Sequence, residues 1–462
     1  MTIEDIKTVY QQKHNLPSTY QNFAHGNLHP HPHPAAQRNV AQAVSHATAP
    51  LQGLRKVQLV RNPRFKPKGL GDLASLCRKY EITPTLPTPF TIIHAVVDGL
   101  ETASQTLVNA LTPGKDDENK TTATTSHPRV VTRMVKKPDS TGKTGHLDAE
   151  NVQNDSEYLA PVSIGSPAQC LNLNFDTGSS DLWVWSTLLP DNVKTKDAGG
   201  MSWQIRYGDG STANGVVGTD NVSIGGLCVT GQHVELAKNL AQSFEQSEGD
   251  GLLGLAFGTI NTVKPQPVHT PVENMITQAD IPKDSELFTC YLTSTKDSEP
   301  DCYTFGYVDN DLVKGRPIYY TPIDSSHGFW NVKSTSVVIN GSNIPLAGNT
   351  AIMDTGTTLS LIDDSTCKNI YAAVPGSRYD NDQGGFIFPK DAKLPDLSFA
   401  IGDQQFSVRK SDLAYAELGG GMVYGGIQSR GNMSFSIYGG THLKGMYAIF
   451  DHGRRQFGFV QR

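Results

Sequence analysis

Two Asp-Thr-Gly triplets, at residues 176–178 and 354–356, carry the residues of this 462-residue chain that are best suited to chemistry. Each triplet directly follows an apolar run and precedes Ser or Thr residues and a second apolar run. A single Asp-Thr-Gly is an ordinary turn sequence, because Asp and Gly are turn formers. Two copies in matching surroundings, 178 residues apart, predict instead that Asp176 and Asp354 occupy equivalent points of two similar halves.

Paired carboxylates of this kind predict acid–base chemistry. If Asp176 and Asp354 lie about 3 Å apart, they cannot both ionise and must share a proton, so their apparent pKa values belong to the pair. The ionised member would deprotonate a water as it attacks a peptide carbonyl, and the protonated member would donate to the carbonyl oxygen. This chemistry needs no metal and no cofactor, and it predicts an activity maximum in acid.

The residues around the two aspartates fit this role. Gly178 and Gly356 have no side chain, so the backbone and a substrate can approach closely. The hydroxyl groups of Thr177 and Thr355 are expected to bond across the junction between the halves. Those of Ser179 and Thr357 are expected to bond the carboxylates.

The elements that must position these residues are predicted to be strands. From about Glu157 to Arg462, short alternating runs are separated by Gly, Asp, Asn and Ser, which predicts an all-β region. Helical patterns are brief there, around 270–278 and 364–374. The strongest strand predictions are Leu171–Phe175, Val216–Ile224, Phe288–Leu292, Ser334–Ile339, Gln405–Val408 and Tyr447–Phe450.

The sequence before this region has a different character. Residues 1–50 are predicted to be disordered. Residues 51–82 predict a short strand, a Pro- and Lys-containing loop, and a helix over Leu70–Tyr80. Apolar residues at helical spacing predict an amphipathic helix over 90–111. The polar composition of residues 113–145 predicts an exposed linker.

Charge is distributed unevenly along the chain. Residues 51–80 carry eight basic residues and one acid, whereas residues 151–462 carry 21 basic and 33 acidic residues. The basic arm should therefore fold back onto the acidic body. A nuclear-localisation or nucleic-acid patch is the alternative, but apolar residues alternate with the charges, and a formal net charge of −6 argues against a nucleic-acid partner. No apolar run approaches the ~20 residues of a membrane-spanning helix.

The cysteines predict neither a disulfide scaffold nor a metal site. The chain has six cysteines, no CxxC pair and no Cys/His cluster with zinc spacing. Cys290 and Cys302 flank a predicted hairpin turn and either bond to each other or remain two thiols. The start at Met1 is acidic and polar and shows no signal-peptide pattern, so either the protein is not exported by that route or this start is not the natural one.

Several motifs together resemble pepsin-family aspartic endopeptidases, most closely the fungal penicillopepsin and endothiapepsin branch. They are residues 154–169, Phe175–Val184, Gly251–Phe257 and the second Asp-Thr-Gly-Thr-Thr. The resemblance implies an all-β, bilobal fold with a central cleft, lobes at 146–312 and 313–462, and Asp176 and Asp354 as the catalytic pair. Aspartic proteases are themselves the standard example of two carboxylates that share one proton.

The resemblance also assigns substrate-binding residues. Tyr207, Gly208 and Asp209 match a flap that closes over the peptide, with Trp183 supporting it, and Phe244 matches an aromatic pocket wall. Asp209 would either pair with a substrate Lys or be present only because Asp is a common residue of hairpin turns. The remaining predicted contacts to substrate come from the two active-site loops, at Gly178, Gly356, Thr357 and Thr358.

Residues 53–82, within a prosegment-like region 51–145, resemble the family's inhibitory prosegment. By position, Lys79 would pair with the catalytic carboxylates, with Tyr80 beside it, and the intact chain would be latent at neutral pH. The expected partners are peptide or protein substrates and pepstatin-type inhibitors, for a monomer that is secreted or vacuolar, with an intracellular location as the alternative. Tyr207 follows Trp183 more closely than in the family, so an impaired peptide-binding protein is the competing function.

Overall fold

The structure is a computed structural model, and it describes residues 55–62, 65–97, 129–136, 158–185, 196–206, 212–240, 249–294, 297 and 301–462. The predictions for residues 1–50, for the flap residues Tyr207, Gly208 and Asp209, and for Phe244 lie outside the described residues. Within those ranges, no helix is both long enough and apolar enough to cross a membrane.

The basic arm forms two short strands and one helix. They are β1 (Lys56–Gln58), β2 (Val60–Arg61) and α1 (Leu70–Lys79). Helix α1 begins after Gly69, whose φ of 55° suits glycine, and a basic last turn at Arg78 and Lys79 complements the helix dipole. The predicted strand, loop and helix of residues 51–82 agree with this arrangement.

Two predictions for the following residues were wrong. The expected helix over 90–111 is, where described, strand β3 (Phe90–Val97), and the expected linker over 113–145 contains strand β4 (Arg129–Lys136). The two strands pair antiparallel from Phe90 opposite Lys136 to Val97 opposite Arg129. Five of the eight residues of β3 are β-branched, which favours a strand over the helix that the spacing suggested.

The first half of the body contains nine strands and one α-helix among the described residues. The strands are β5 (Tyr158–Ile164), β6 (Gln169–Asp176), β7 (Leu182–Trp185), β8 (Lys196–Arg206), β9 (Thr212–Ile224), β10 (Leu227–Leu240), β11 (Gly251–Gly254), β12 (Leu287–Tyr291) and β13 (Cys302–Phe305). The helix is α2 (Pro271–Thr277), which begins with a capping box between Thr270 and Glu273.

The second half continues with short strands and short helices. The strands are β14 (Tyr319–Pro322), β15 (Asn331–Lys333), β16 (Ser336–Ile339), β17 (Ser342–Pro345), β18 (Thr350–Met353), β19 (Ser360–Ile362), β20 (Arg378–Asp380), β21 (Gly385–Pro389), β22 (Leu397–Ile401), β23 (Gln404–Ser407), β24 (Ala414–Gly419), β25 (Met422–Gly425), β26 (Ile427–Ser429), β27 (Ser436–Tyr438), β28 (Met446–Asp451) and β29 (Gln456–Gln461). The helices are α3 (Asn310–Val313), α4 (Asp364–Ala372), α5 (Lys410–Leu413) and α6 (Gly440–Leu443).

The two halves repeat one local arrangement. An eight-stranded sheet contains β6, β11 and β7 side by side, and a five-stranded sheet contains β18, β27 and β19 in the same order. In each set the first pair is parallel and the second antiparallel. The predicted all-β, bilobal pepsin-like fold is confirmed, and the two Asp-Thr-Gly triplets follow corresponding strands. The predicted lobe boundaries at 146–312 and 313–462 stay a prediction.

A third sheet joins the halves and the basic arm. Its six strands run in the order β1-β13-β12-β28-β29-β14, so strands of both halves are hydrogen-bonded neighbours. Its register places Cys290 opposite Tyr303 and Cys302 opposite Tyr291. Because neighbouring residues of a strand point to opposite faces, Cys290 and Cys302 face different core clusters. Both cysteines are free thiols, which resolves the alternative that the sequence left open.

Candidate active site

Strands β6 and β18 deliver the two aspartates to the junction between the halves. Asp176 ends β6 and pairs in register with Gly254, and Leu255 N donates to its carbonyl over 2.7 Å. Asp354 follows β18, and its backbone N donates to Tyr438 O over 3.1 Å. Both side chains are buried, at 1% and 0% exposure, in strands held on both sides by sheet neighbours. The positions of the carboxylates are therefore set by the sheets rather than by flexible loops.

The two threonines of the triplets bond the halves together reciprocally. Thr177 N donates to Thr355 Oγ1 over 3.1 Å, and Thr355 N donates to Thr177 Oγ1 over 2.9 Å. Each hydroxyl then donates across the junction to a backbone carbonyl, Thr177 to Met353 over 2.7 Å and Thr355 to Phe175 over 2.8 Å. These four bonds fix the separation of the two active-site loops.

Each carboxylate is held by equivalent donors. Asp176 accepts from Gly178 N over 2.9 Å and from Ser179 Oγ over 2.6 Å. Asp354 accepts from Gly356 N over 2.9 Å and from the Thr357 hydroxyl. Lys79 Nζ lies within 3.2 Å of an oxygen of each carboxylate, so the two groups share one cationic neighbour. The structure thus brings together every predicted residue of the two triplets.

The glycines are required because the opposite loop is so close. A Cβ on Gly356 would lie 2.2 Å from Asp176 Oδ1, and a Cβ on Gly178 would lie 2.6 Å from Asp354 Oδ1. Both distances are far below van der Waals contact. Any side chain at these positions would push the two carboxylates apart.

Helix α1 of the basic arm ends directly over the carboxylates. Lys79 Nζ lies 3.0 Å from Asp176 Oδ1 and 3.2 Å from Asp354 Oδ2, and Tyr80 Oη donates to Asp354 Oδ2 over 2.5 Å. A Cβ on Gly178 would lie 2.3 Å from Tyr80 Oη. The ammonium and the phenol therefore fill the space between the two active-site loops.

The pKa values of the three charged groups move in different directions. Burial raises the pKa of Asp176 to about 6, although Lys79 opposes this shift. Burial would also raise the pKa of Asp354, but Lys79 and hydrogen bonds from Asp176, Thr357 and Tyr80 outweigh it, so this pKa lies below its usual value. Burial would lower the pKa of Lys79, but the two aspartates outweigh it and raise that pKa. Below about pH 6 the pair therefore carries one negative charge beside a charged ammonium, and at higher pH it carries two.

Other cations of the arm pair with acids of the body. Lys56 Nζ lies 2.6 Å from Asp309 Oδ2, and Arg61 Nη2 lies 3.2 Å from Asp301 Oδ2. The Lys56 and Arg61 side chains are about one-third exposed, so each pair contributes little by itself. Together with Lys79 they agree with the predicted attraction between the basic arm and the acidic body.

Helix α1 also reaches the loop that follows Asp354 in the second half through a polar contact. Tyr415 Oη donates to Asp72 Oδ2 over 2.8 Å, and the Thr358 hydroxyl, 2.9 Å away, donates to Tyr415 Oη. Asp72 is 6% exposed and also accepts from Lys68 N over 2.7 Å. Thr358, predicted to contact substrate, is therefore bridged to the helix in this state.

The segment after the helix forms a second, largely uncharged attachment. Thr83 N donates to Asn432 Oδ1 over 2.8 Å, and Asn432 N donates to Thr83 O over 3.0 Å. Thr85 Oγ1 donates to Asp364 Oδ2 over 2.7 Å, and Tyr379 Oη donates to Pro87 O over 2.8 Å. Sequence reasoning missed these contacts, because each joins residues roughly 280 to 350 positions apart and no local motif signals it.

A cavity of about 250 Å³ remains between α1 and the body. Its apolar wall, which includes the predicted flap support Trp183, consists of Leu76, Trp183, Ile205, Leu252, Ile260, Leu292 and Phe329. The aspartates and Thr358 lie at the same cavity, so a peptide backbone at the carboxylates would have apolar side-chain space beside it. Among the residues described, no group of His, Cys, Asp and Glu has the arrangement of a metal site.

A two-lobed β fold with facing, buried aspartates at the floor of its cleft defines the class of aspartic-type peptidases. The family model for eukaryotic aspartyl proteases matches residues 157–462, and the chain belongs to that family. It is a pepsin-like aspartic-type endopeptidase of the fungal branch.

Individual relatives support the same assignment. The chain is 40% identical to aspergillopepsin-1 of Aspergillus pseudoglaucus over 69% of its own length and 82% of the relative. It is 40% identical to penicillopepsin-1 of Penicillium janthinellum over 66% of its length and 95% of the relative. Among solved structures, the aspartic proteinase from Irpex lacteus matches with a TM-score of 0.58 and 25% identity, over 68% of this chain and 95% of that one. The predicted resemblance to pepsin-family endopeptidases is confirmed.

Proposed function

We propose that this protein is made as a latent zymogen and hydrolyses peptide bonds in acid through a water activated by Asp176 and Asp354. The observation that carries the proposal is the buried pair of carboxylates, each held by equivalent donors, at the wall of a cavity that helix α1 of the basic arm covers. The ionised aspartate takes a proton from water as it attacks the peptide carbonyl, and the protonated aspartate donates to the carbonyl oxygen. No cofactor takes part.

Latency follows from the ammonium of Lys79. It lies where a substrate carbonyl and the attacking water would have to be, and it lowers the pKa of both carboxylates. When Lys79 leaves, that influence is lost, and the pair binds its shared proton more readily. Removal of the arm would therefore open the cleft and also produce the singly protonated state that catalysis needs.

The substrates proposed are peptides or proteins with hydrophobic residues around the cleaved bond. Trp183, Leu252 and Phe329 supply apolar surface beside the carboxylates. A substrate Lys would also be accepted if its ammonium pairs with the carboxylate of Asp209. Secretion or vacuolar delivery, a monomeric state and inhibition by pepstatin likewise remain predictions.

The test uses the full chain, incubated between pH 3 and pH 7 and then assayed on a peptide with a hydrophobic cleavage site. Activity should appear only after acid incubation, be blocked by pepstatin, and fall at least ~10⁴-fold in Asp354→Asn, since loss of one member of a concerted catalytic unit removes most of the rate. Asp403→Asn, at an exposed aspartate, is the matched control.

The competing function, a pepsin-like protein that binds peptides without cleaving them, predicts a different result. Peptide binding would persist in wild type and in Asp354→Asn alike, and no hydrolysis would be detected at any pH. That outcome, with a folded protein, would refute the proposed catalysis.

A further inference from the structure

A second pair of buried acids lies next to the active-site loop. Asp181 follows the first Asp-Thr-Gly-Ser-Ser run, and Glu235 lies in the middle of β10. They are 3% and 1% exposed. Asn261 Nδ2 lies 3.0 Å from Asp181 Oδ1 and 3.0 Å from Glu235 Oε1, so a single amide group bridges the two carboxyl groups. Two acids in such contact, with little water, hold at most one negative charge.

The donors around the pair show which acid keeps the proton. Asp181 Oδ1 accepts from Thr262 N over 2.8 Å, from Thr262 Oγ1 over 3.0 Å and from Asn261. Glu235 Oε1 receives the single donor Asn261, and no donor among the described residues reaches its buried Oε2. The carboxylate charge therefore belongs on Asp181, and the proton on Glu235 is available to Asp181.

We propose that Glu235 and Asp181 share one buried proton, and that this singly charged pair is a positioning element that holds the 176–181 loop in its active arrangement. Asn261 Nδ2 also donates to Ser180 O over 3.2 Å, and Gly254 N donates to Asp181 O over 2.8 Å. The pair is thus bonded to the backbone that carries Asp176. Neither acid contacts the reacting atoms.

The surroundings of Glu235 are apolar. In the sheet it lies between Trp183 of β7 and Val217 of β9. Both belong to a cluster, here called the tryptophan cluster, formed by Trp183, Trp203, Val217, Ala237 and Val263. Trp203 lies on β8, which together with β9 flanks residues 207–211, and its ring stacks on Trp183 with centroids 6.3 Å apart.

The charged groups that face the pair are few. Burial raises the pKa of Glu235 well above its usual value, the charge of Asp181 raises it further, and the hydrogen bond from Asn261 opposes the shift. Burial also raises the pKa of Asp181, against hydrogen bonds from Thr262 and Glu235. On β10 itself, His233 responds to burial and to His269 rather than to Glu235. No cation in the described parts of the chain contributes to the pKa of either acid.

Loss of the shared proton at rising pH would leave two negative charges beneath the tryptophan cluster. They would repel each other, and water would have to enter to solvate them. The contacts of Asn261 and Asp181 with the active-site loop would then be lost. The inference rests on the proposed function only for its activity readout.

The test compares Glu235→Gln with wild type. Glutamine keeps the shape and a donor toward Asp181 but cannot lose a proton in this range. The full chain is activated in acid and held at a series of pH values from 5 to 8, and residual peptidase activity and the unfolding midpoint are measured. We expect Glu235→Gln to shift the midpoint of inactivation upward by at least about one pH unit, the usual spread of carboxyl pKa values in proteins. Glu417→Gln, at an exposed carboxylate, should leave it unchanged.

A second measurement does not depend on activity. The infrared spectrum of the intact Asp176→Asn chain near pH 7 should contain the carbonyl stretch of a protonated carboxyl group, and the band should disappear when Glu235→Gln is added. If the band is the same with and without Glu235, or if Glu235→Gln inactivates at the same pH as wild type, the proposal is wrong. Absence of peptidase activity in every variant, with the infrared band present, would instead refute the proposed function and leave the shared proton intact.

Discussion

His442 is expected to reduce the stability of the folded protein in acid. Its ring is 0% exposed and stacks on Tyr438 with centroids 4.0 Å apart, and it also contacts Phe399 at 4.9 Å. Nδ1 lies 2.7 Å from Ser360 Oγ, and the buried Nε2 finds no hydrogen-bond partner among the described residues. Burial lowers the pKa of His442 from 6.5 to about 3.

Because the pKa of His442 is lowered in the folded state, acid destabilises that state. Between pH 6.5 and about 3, the unfolded chain binds a proton at this histidine and the folded chain does not, so the free energy of unfolding falls as the pH falls. A difference of about 3.5 pKa units corresponds to about 5 kcal/mol across that interval, or about 1.4 kcal/mol per pH unit. This is a large part of the 5–15 kcal/mol, roughly, that stabilises a typical domain.

His442→Phe removes the titration and keeps the aromatic stacking. It leaves the Ser360 hydroxyl without its partner, which costs about 1 kcal/mol at every pH. Urea unfolding from pH 3 to 7, in an Asp354→Asn background that prevents self-digestion, should show a shallower loss of stability in the variant. His327→Phe, at an exposed histidine, is the control. Equal pH slopes for wild type and His442→Phe would refute the reasoning.

Three further predictions concern the two catalytic aspartates and the contact of Lys79 with them. Lys79→Ala should abolish latency, so that peptidase activity appears without acid incubation; a variant that stays latent at pH 6 would contradict this role. Because the pKa of Asp354 is lowered, the Lys79–Asp354 ion pair would stabilise the arm on the body above the ordinary carboxyl pKa of 3.8, and this stabilisation would be lost below it. Conversion of the full chain to a shorter, active form, followed by gel electrophoresis over time, should therefore accelerate below about pH 4. It should not accelerate near pH 6, the value for Asp176. Gly356→Ala should reduce kcat at least ~10²-fold and also lower the unfolding midpoint, since its Cβ would lie 2.2 Å from the buried Asp176 Oδ1 and must displace it; near-normal kcat would show that the loops can separate freely.

Local and repeated signals were sufficient to predict the centre of this molecule. The two triplets could be paired from sequence because both carry the same residues after an apolar strand. The helix at Leu70–Lys79 could be predicted because its apolar residues recur at helical spacing. The β-rich body followed from short alternating runs. In each case the information lies within a few residues of the element that it predicts.

The features that the sequence did not predict correctly depend on contacts between residues far apart in the chain. The spacing of residues 90–111 predicts a helix, but Phe90–Val97 is strand β3, because its β-branched residues also suit a strand and its partner β4 begins more than 30 residues later. The anchoring of Thr83 by Asn432, and the meeting of Asp181 with Glu235 at Asn261, depend on the tertiary fold. No single-sequence pattern reports which polar residues will be buried together.

The six-stranded sheet sets a condition on the order in which this protein can be built. Strand β12 lies between β13, which follows it closely, and β28, whose residues are about 160 positions later in the chain. While the ribosome is still synthesising the second half, one edge of β12 has no neighbour to cover its amide and carbonyl groups. An early stop codon before β28 would therefore leave the first half with an open, aggregation-prone edge, even though every catalytic residue of that half had already been made.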